Sequence, residues 1–535
     1  MKQTIVELLQ KFFAEVKVGK RTLHVLDFRK IKGFSSNAPI PQAEEPKLFW
    51  KEYRKVFFEQ LKKHYGFSEE DFGLFAVAIE GKKPSEMEEY AAYLEKSIID
   101  EQFEDSLEGI CYVCGRRDHV TWDTTRLPDK FYITKLVTFS SELLGKGKEG
   151  GFAKNFALCR ECYKDLIAGM RYLRNYLSVT LAGNTLYLIP GLFFHPVGET
   201  LTRRWIDLSR GYVVSTFTPE VFREFRERVE KDLEDYQRFE EFIDSIYVDL
   251  LFYWSRQSAF KVKKLIREVP LRRVREIREA IEGAQRLGEE LLGGGGEWLL
   301  SLNGMYYLLP VHAGEEAEHR KILELYEHLF LGYPVDRHIL MKFFLTLAQV
   351  YSFRRWDYNV KPRSNPELEL VWAFLRTQLL LKIFEKLSLI ERGEKTVNID
   401  SGILGEEVEQ YVERMGYSEE ETALFLLGYL IGEIGENQNQ GGNSAKKPIL
   451  NKINFNGMNA RNVLTLSSEV FEKLDQYQIR QCNEQVFAVM KSLMDAHIKN
   501  WRPSEAENVY YILSGYAFHT YKTVTGGGKK EEVEQ

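Results

Sequence analysis

Cys111-Tyr112-Val113-Cys114-Gly115 and Cys159-Arg160-Glu161-Cys162 are the two stretches on which the reading of this chain turns. Each is a C-x-x-C unit, a spacing that lets two thiolates reach one ion from a tight knuckle, and Gly115 suits the turn after the first pair. Two such knuckles supply the four soft ligands that zinc takes in a tetrahedron. Two unrelated thiol pairs or a redox motif are the alternatives, and His119 is an alternative ligand. Four cysteines leave no open position for water, so a Zn2+ ion held by Cys111, Cys114, Cys159 and Cys162 is expected to be structural. The loop between the pairs is long for a zinc ribbon and must carry strands of its own, with residues 130–139 the β-rich candidate. Cys482 stands alone and reads as a small buried hydrophobe.

Working outward, the pattern predicts an α+β, multidomain protein: a mixed N-terminal part with a zinc-ribbon insertion, then an all-α C-terminal helical bundle. The first segment, 1–108, reads as an amphipathic helix over 1–16, strands at 22–31 and 72–80, and a helix near Pro46–Tyr65. The insertion occupies 109–176. Segment 177–360 is α+β with long helices and two hairpins. One hairpin, 177–190, turns at Ala182-Gly183-Asn184; the other, 298–310, turns at Asn303-Gly304. Both run into proline after a short β-rich string, which places them in one sheet. Between them, apolar residues from Val221 to Ile246 recur at spacings of three and four, the mark of a helix with one buried face. The run Gly293-Gly294-Gly295-Gly296 ends that helical region.

A Pro-containing polar stretch, 360–366, leads into the bundle at 366–524. Helices are expected over 367–392, 402–415, 418–434, 467–482, 483–499 and 504–522. Ser418 with Glu421, and Ser504 with Glu507, fit capping boxes. The last residues, 525–535, read as a disordered tail.

Composition narrows the function classes. The chain has 535 residues, enough for about three domains, with 44% hydrophobic, 28% charged and 13% aromatic residues. That content excludes global disorder, and no apolar run approaches the roughly 20 residues that cross a bilayer. A cytoplasmic protein without membrane attachment is expected. The net charge of −6 argues against nucleic-acid binding by bulk charge and leaves local patches as the means.

Three such patches stand out. The first is the glycine-rich loop 145–151 with Lys146, Lys148 and, just after it, Lys154, where backbone amides can approach phosphates. The second is the most basic stretch, with Lys261, Lys263, Lys264, Arg267, Arg272, Arg273, Arg275 and Arg278. There Val262, Leu265, Ile266 and Val269 read as one helical face, and Pro270 starts a new helix whose face continues through Leu271, Val274 and Ile277. The charges then project together along a phosphate backbone. The third lies in the C-terminal region, where Lys446, Lys447, Asn451, Lys452, Asn454 and Asn456 offer amides and ammonium groups without acids. Tyr351, Phe353, Arg354, Arg355 and Trp356 add basic groups among aromatics, read either as a stacking platform or as core. For each patch a solvated surface is the plain alternative. Motifs of catalysis are missing: no His-Asp pair of the nuclease kind, no Gly-x-Ser-x-Gly elbow, no nucleotide-binding glycine loop and no helical His-x-x-x-His. The chain is therefore not expected to be an enzyme.

The cysteine pairs, followed by Leu166-Ile167-Ala168-Gly169-Met170 and Tyr187-Leu188-Ile189-Pro190, resemble the zinc-containing large subunit of type I-B CRISPR (Cascade) effector complexes. The string from Lys446 to Asn459 and the string from Glu507 to Tyr516 are similar to that family's closing motifs. The resemblance spans roughly residues 105 to 520 and implies a subunit of a crRNA-containing multisubunit complex, working with other Cascade subunits. It implies recognition of the protospacer-adjacent motif in target double-stranded DNA, help in opening the duplex, and recruitment of a separate helicase-nuclease. It also implies that the C-terminal bundle resembles the small subunit lining the displaced single strand, with Met341 as the internal start for a separate small subunit. A metal-dependent nuclease with an accessory zinc ribbon is the alternative from another class. A zinc-ribbon interaction protein unconnected with nucleic acid is a third.

Overall fold

The computed structural model describes residues 11, 13–19, 21–30, 39–66, 83, 86–127, 153, 155–192, 199–231, 237, 239, 243–256, 259–293, 298, 300–312, 316–360, 365–391, 397, 402–440 and 448–531. They divide into two units: residues 1–127 with 132–167, and residues 128–131 with 168–535. The α+β class is as expected, with small sheets in the N-terminal half and a helical C-terminal part.

In the first unit, strands β1 (Phe13–Val18) and β2 (Arg21–Leu26) pair antiparallel around Gly19, whose φ of 57° is the left-handed conformation a tight turn needs. Of the helix expected over 1–16, residues 1–10 and 12 lie outside the described residues, and residues 13–16 belong to a strand, whose Val18 packs with Val25 of β2 against Phe49 and Tyr53. Those rings belong to α1 (Pro46–Tyr65), which starts on proline and stops at Gly66 with φ 74°, as its sequence predicts. Tyr53 Oη donates to the Leu26 carbonyl at 2.6 Å and ties helix to hairpin. Helix α2 (Glu88–Ile98) leads into a three-stranded antiparallel sheet of β3 (Leu107–Ile110), β4 (Arg117–Thr121) and β5 (Leu158–Cys159). The strands expected at 72–80 and 130–139 lie outside the described residues. Helix α3 (Arg160–Tyr176) follows β5 directly.

The second unit is built on a four-stranded antiparallel meander, β6 (Ser178–Leu181), β7 (Asn184–Leu192), β8 (Ile246–Arg256) and β9 (Ala259–Pro270). The first hairpin turns where expected, with φ of 52° at Ala182 and 67° at Gly183, the paired positive values that suit the twist of the flanking strands. The second expected hairpin is absent. Residues 302–306 form a short helix instead, because the Ser301 hydroxyl caps it by accepting from the Gly304 amide. Asn303, expected to turn a strand, accepts from the Ala182 amide at 2.8 Å and pins the first hairpin's turn. The sheet partner of β7 is β8. Helices α4 (Glu199–Val214) and α5 (Pro219–Lys231) follow β7; of the apolar period beginning at Val221, residues 221–231, 237 and 239 are helical among the described residues, and Ile246 opens a strand.

β9 is followed by α6 (Leu271–Leu292), which buries Leu271, Val274, Ile277, Ile281 and Ala284 at helical spacing, as expected after Pro270. The short helix α7 (Leu302–Tyr306) precedes α8 (Glu316–Leu331), α9 (Arg337–Ser352), α10 (Pro366–Lys386), α11 (Glu406–Met415), α12 (Glu419–Gln440), α13 (Ala460–Gln476), α14 (Arg480–His497) and α15 (Glu505–Glu531). Both capping boxes form: the Glu421 amide bonds Ser418 Oγ at 3.2 Å and the Glu507 amide bonds Ser504 Oγ at 3.3 Å, each acid returning a bond to the serine amide. Elements on both sides of the stretch 360–366 share one hydrophobic core. The last helix runs past residue 525, where a tail was expected, and Thr525 Oγ1 donates to the Tyr521 carbonyl at 2.8 Å. Among the described residues no helix is long and apolar enough to cross a membrane.

Candidate metal centre and nucleic-acid surfaces

The first cysteine knuckle is the turn between β3 and β4. The Cys111 amide bonds the Arg116 carbonyl at 2.9 Å, and the Gly115 amide returns to the Cys111 carbonyl at 2.9 Å. Gly115, with φ of 69°, takes the conformation that other residues resist. The second knuckle is a strand end followed by a helix start, with Cys159 closing β5 and Cys162 in the first turn of α3. A helix N-terminus favours negative charge, so this position suits a thiolate. The Tyr112 amide bonds the Ala157 carbonyl at 2.8 Å, which joins the two knuckles.

The four sulfurs lie within 4.8 Å of one another. Cys114 Sγ and Cys159 Sγ are 3.8 Å apart. Zn–S bonds of about 2.3 Å at tetrahedral angles set sulfurs about 3.8 Å apart, whereas a disulfide needs about 2.05 Å. Cys111, Cys159 and Cys162 are buried and Cys114 is exposed. Arg116 Nε donates to Cys114 Sγ at 3.4 Å and, with its own backbone amide, holds that thiol down at about 6. Burial pushes Cys159 and Cys162 up. At Cys111 burial acts the same way, but the amides of Cys114, Cys159 and Val113 outweigh it and lower the thiol. The donor set fits zinc, and all four positions around such an ion are protein. His119 is not among the gathered donors; it is exposed on β4. Cys482, expected to be buried, is exposed on α14. Arg116 was not singled out in the sequence, although a basic residue two places after a ligand cysteine is a readable signal. The knuckle's outer side is apolar, with Ile110, Tyr112 and Val113 each more than 60% exposed.

The basic stretch is a strand and a helix, not two helices. In β9, Lys263 Nζ donates to Asn184 Oδ1 at 2.8 Å and Lys264 Nζ pairs with Glu327 at 2.5 Å. In α6, Arg273 donates to the Leu329 carbonyl and to Glu276, both at 3.0 Å. Arg278 lies over the Tyr212 ring at 4.5 Å. These groups hold the protein's own elements together, so the charges do not project as one row. Lys261, Arg267 and Arg272 remain exposed, and Arg275 is half-buried. Lys146, Lys148, Lys154, Lys446 and Lys447 lie outside the described residues.

Two stretches a hundred residues apart meet in the second unit. Gln349 Nε2 donates to the Phe455 carbonyl and to Asn456 Oδ1, both at 3.1 Å, and Phe353 meets Phe455 edge-on at 5.8 Å. This places exposed Phe353, Arg354 and Arg355 beside exposed Asn454 and Asn456. Asn454 Oδ1 also accepts from the Asn456 amide at 3.1 Å, so part of the amide pattern serves a turn. Asn451 and Lys452 are exposed nearby in sequence, Lys452 pairing with Glu469 at 3.3 Å. Tyr351 is buried, as the core reading had it.

Residues 108–269 match the family model for the central domain of the CRISPR-associated protein TM1802, and residues 300–530 match the model for its C-terminal domain. The chain belongs to the TM1802 family of CRISPR-associated proteins. None of the curated proteins matches it. The TM1802 central-domain match contains all four gathered cysteines and nearly the whole meander; the C-terminal match contains α7 to α15. Neither TM1802 match reaches the β1–β2 hairpin or α1.

Proposed function

We propose that the chain is the large subunit of a type I-B crRNA-guided surveillance complex. In that role it binds target DNA, recognises the protospacer-adjacent motif, aids duplex opening and recruits a separate helicase-nuclease. Membership of the TM1802 family carries the reading. It acts in the cytoplasm by binding rather than by catalysis, with other Cascade subunits holding most of the crRNA. The four-cysteine cluster holds a structural Zn2+ whose role is to fix β3, β4, β5 and the start of α3. Nucleic acid is met by local surfaces: Lys261, Arg267 and Arg272 on one, and Phe353, Arg355, Lys452, Asn454 and Asn456 on the other. The second combines an aromatic face, a guanidinium and amides, which suits an unpaired strand.

The assembled complex tests this, with target duplex binding measured across salt concentrations. Changing Arg355 and Lys452 to Glu should weaken binding at least about tenfold and flatten the salt dependence by about 0.7–0.9 for each phosphate no longer neutralised. Unchanged affinity and slope would remove that surface. Cutting of DNA by the purified chain with Mg2+ or Mn2+, abolished by one acidic substitution, would replace the binding role with the nuclease alternative.

A further inference from the structure

Helices α12 and α15 approach backbone to backbone. A Cβ at Gly428 would lie 1.8 Å from the Ile512 carbonyl oxygen, and one at Gly515 would lie 1.8 Å from the Phe425 carbonyl oxygen. One turn along α12, a Cβ at Gly432 would lie 2.6 Å from His519 Nδ1, so the imidazole of α15 lies flush on that glycine. The next residue, Glu433, places Oε1 3.0 Å from His519 Nε2. Glu436, a turn further, completes a group of three donor atoms within 4.8 Å of one another.

We propose that Glu433, Glu436 and His519 form a second metal site, for a divalent first-row transition ion. His519 is only 5% exposed, and among the described residues its Nδ1 is buried without a hydrogen-bond partner. That nitrogen lies against Gly432, and the one that faces the acids is Nε2, so the buried imidazole converges with two carboxylates on one point where an ion can sit. The surroundings carry excess negative charge. Burial, then the carboxylates of Glu433, Glu407 and Glu436, pushes the Tyr429 phenol up to about 12, and its ring meets His519 edge-on at 4.9 Å. Lys522 pairs with Glu407 at 3.2 Å, while Glu433 meets only His519 and Glu436 accepts a long 3.4 Å bond from Thr523 Oγ1 among the contacts of the described residues. One imidazole with two carboxylates suits Zn2+, Co2+ or Mn2+ better than Mg2+ or Ca2+, which take oxygen ligands. Metal–ligand bonds of about 2.0–2.2 Å require the three donors to close by roughly 1 Å. Three protein ligands leave positions open to water or an incoming oxygen donor, unlike the cysteine cluster. Glu433 is a quarter exposed, which gives an ion a path from solvent.

The test uses the full chain, stripped with chelator and titrated with Co2+ and separately with Zn2+. Metal equivalents are counted by elemental analysis, and the Co2+ visible spectrum is recorded. Wild type should bind one equivalent more than Glu433→Gln or Glu436→Gln. The difference should show ligand-field bands without thiolate charge transfer and should persist in Cys111→Ser. Zn2+ should raise the melting temperature of Cys111→Ser and not that of Cys111→Ser combined with Glu433→Gln. Equal equivalents in wild type and both Glu variants, as a plain His519–Glu433 ion pair gives, would overturn the site. Failure of the cysteine cluster to bind metal leaves this comparison intact. Glu436→Gln keeps the test decisive should Glu433→Gln fold poorly.

Discussion

Cys114 is the exposed member of its cluster, and Arg116 keeps its sulfur ionised while burial keeps Cys159 and Cys162 protonated. A metal ion held by these sulfurs would provide the positive charge that favours the thiolates burial opposes at Cys159 and Cys162. Cys111→Ser should therefore lose the equivalent of zinc that the cysteine cluster holds and lower the melting temperature of the first unit. Cys482→Ser, an exposed thiol on α14, should leave both unchanged; elemental analysis and thermal denaturation check the pair. The same number of zinc equivalents in Cys111→Ser as in wild type would remove the cysteines as ligands. The four ligands were legible because C-x-x-C spacing is a local property of chain geometry. Glu433, Glu436 and His519 were not, because the third donor depends on a helix crossing and carries no spacing of its own.

Elements that announce themselves locally were read well. Pro46 and Gly66 bracket α1, and Ser418 and Ser504 cap α12 and α15, each through bonds within four residues. Strand β9 was misread for a physical reason. Its register against β8 shifts between Val248 and Leu250 and again between Phe252 and Tyr253, and Glu268 takes a positive φ of 55°. Irregularities of this kind break the alternation of a strand, so Ile266 and Val269 are both buried three residues apart and imitate a helix. The helix crossing gives a sharp prediction at this scale. Gly428→Ala drives a methyl into the Ile512 carbonyl and should destabilise the second unit by about 3 kcal/mol or more. Gly283→Ala in α6 meets nothing within 4 Å and should stabilise by about 0.5–1 kcal/mol, by removing backbone freedom from the unfolded chain. Urea denaturation of the two variants should therefore move in opposite directions; a shared direction would mean that the crossing relaxes.

The C-terminal helices are held across long stretches of chain by one half-buried cation. Arg337 of α9 donates to Glu421 at 2.7 Å and to Tyr511, and its Nε forms an ion pair with Glu507 at 3.2 Å. Burial opposes its charge, but Tyr511, Glu421 and Glu507 outweigh that and raise its pKa. Met341, the internal start that the resemblance implies, lies fully buried one turn later in α9. A product beginning there lacks Arg337 and leaves Glu421, half-buried beside the Tyr511 phenol, without its cation. Breaking a fully buried pair costs about 3–5 kcal/mol and an exposed one about 0–1, so this partly shielded pair falls between. Residues 341–535 made alone should thus unfold at lower urea than residues 333–535, and Glu421→Gln should recover part of the deficit in the shorter product only. Equal stability of the two would mean that the acids find another partner. Nothing in the sequence around Arg337 revealed this role, since its partners lie 84 and 170 residues away.

The two halves of the cysteine cluster are 45 residues apart in the chain. At about 5–20 residues per second of synthesis, the second half leaves the ribosome about 2–9 s after the first. For that interval Cys111 and Cys114 lack the two sulfurs that complete the cluster. On the zinc reading, slow codons through residues 115–158 should raise the yield of mispaired, metal-free chains.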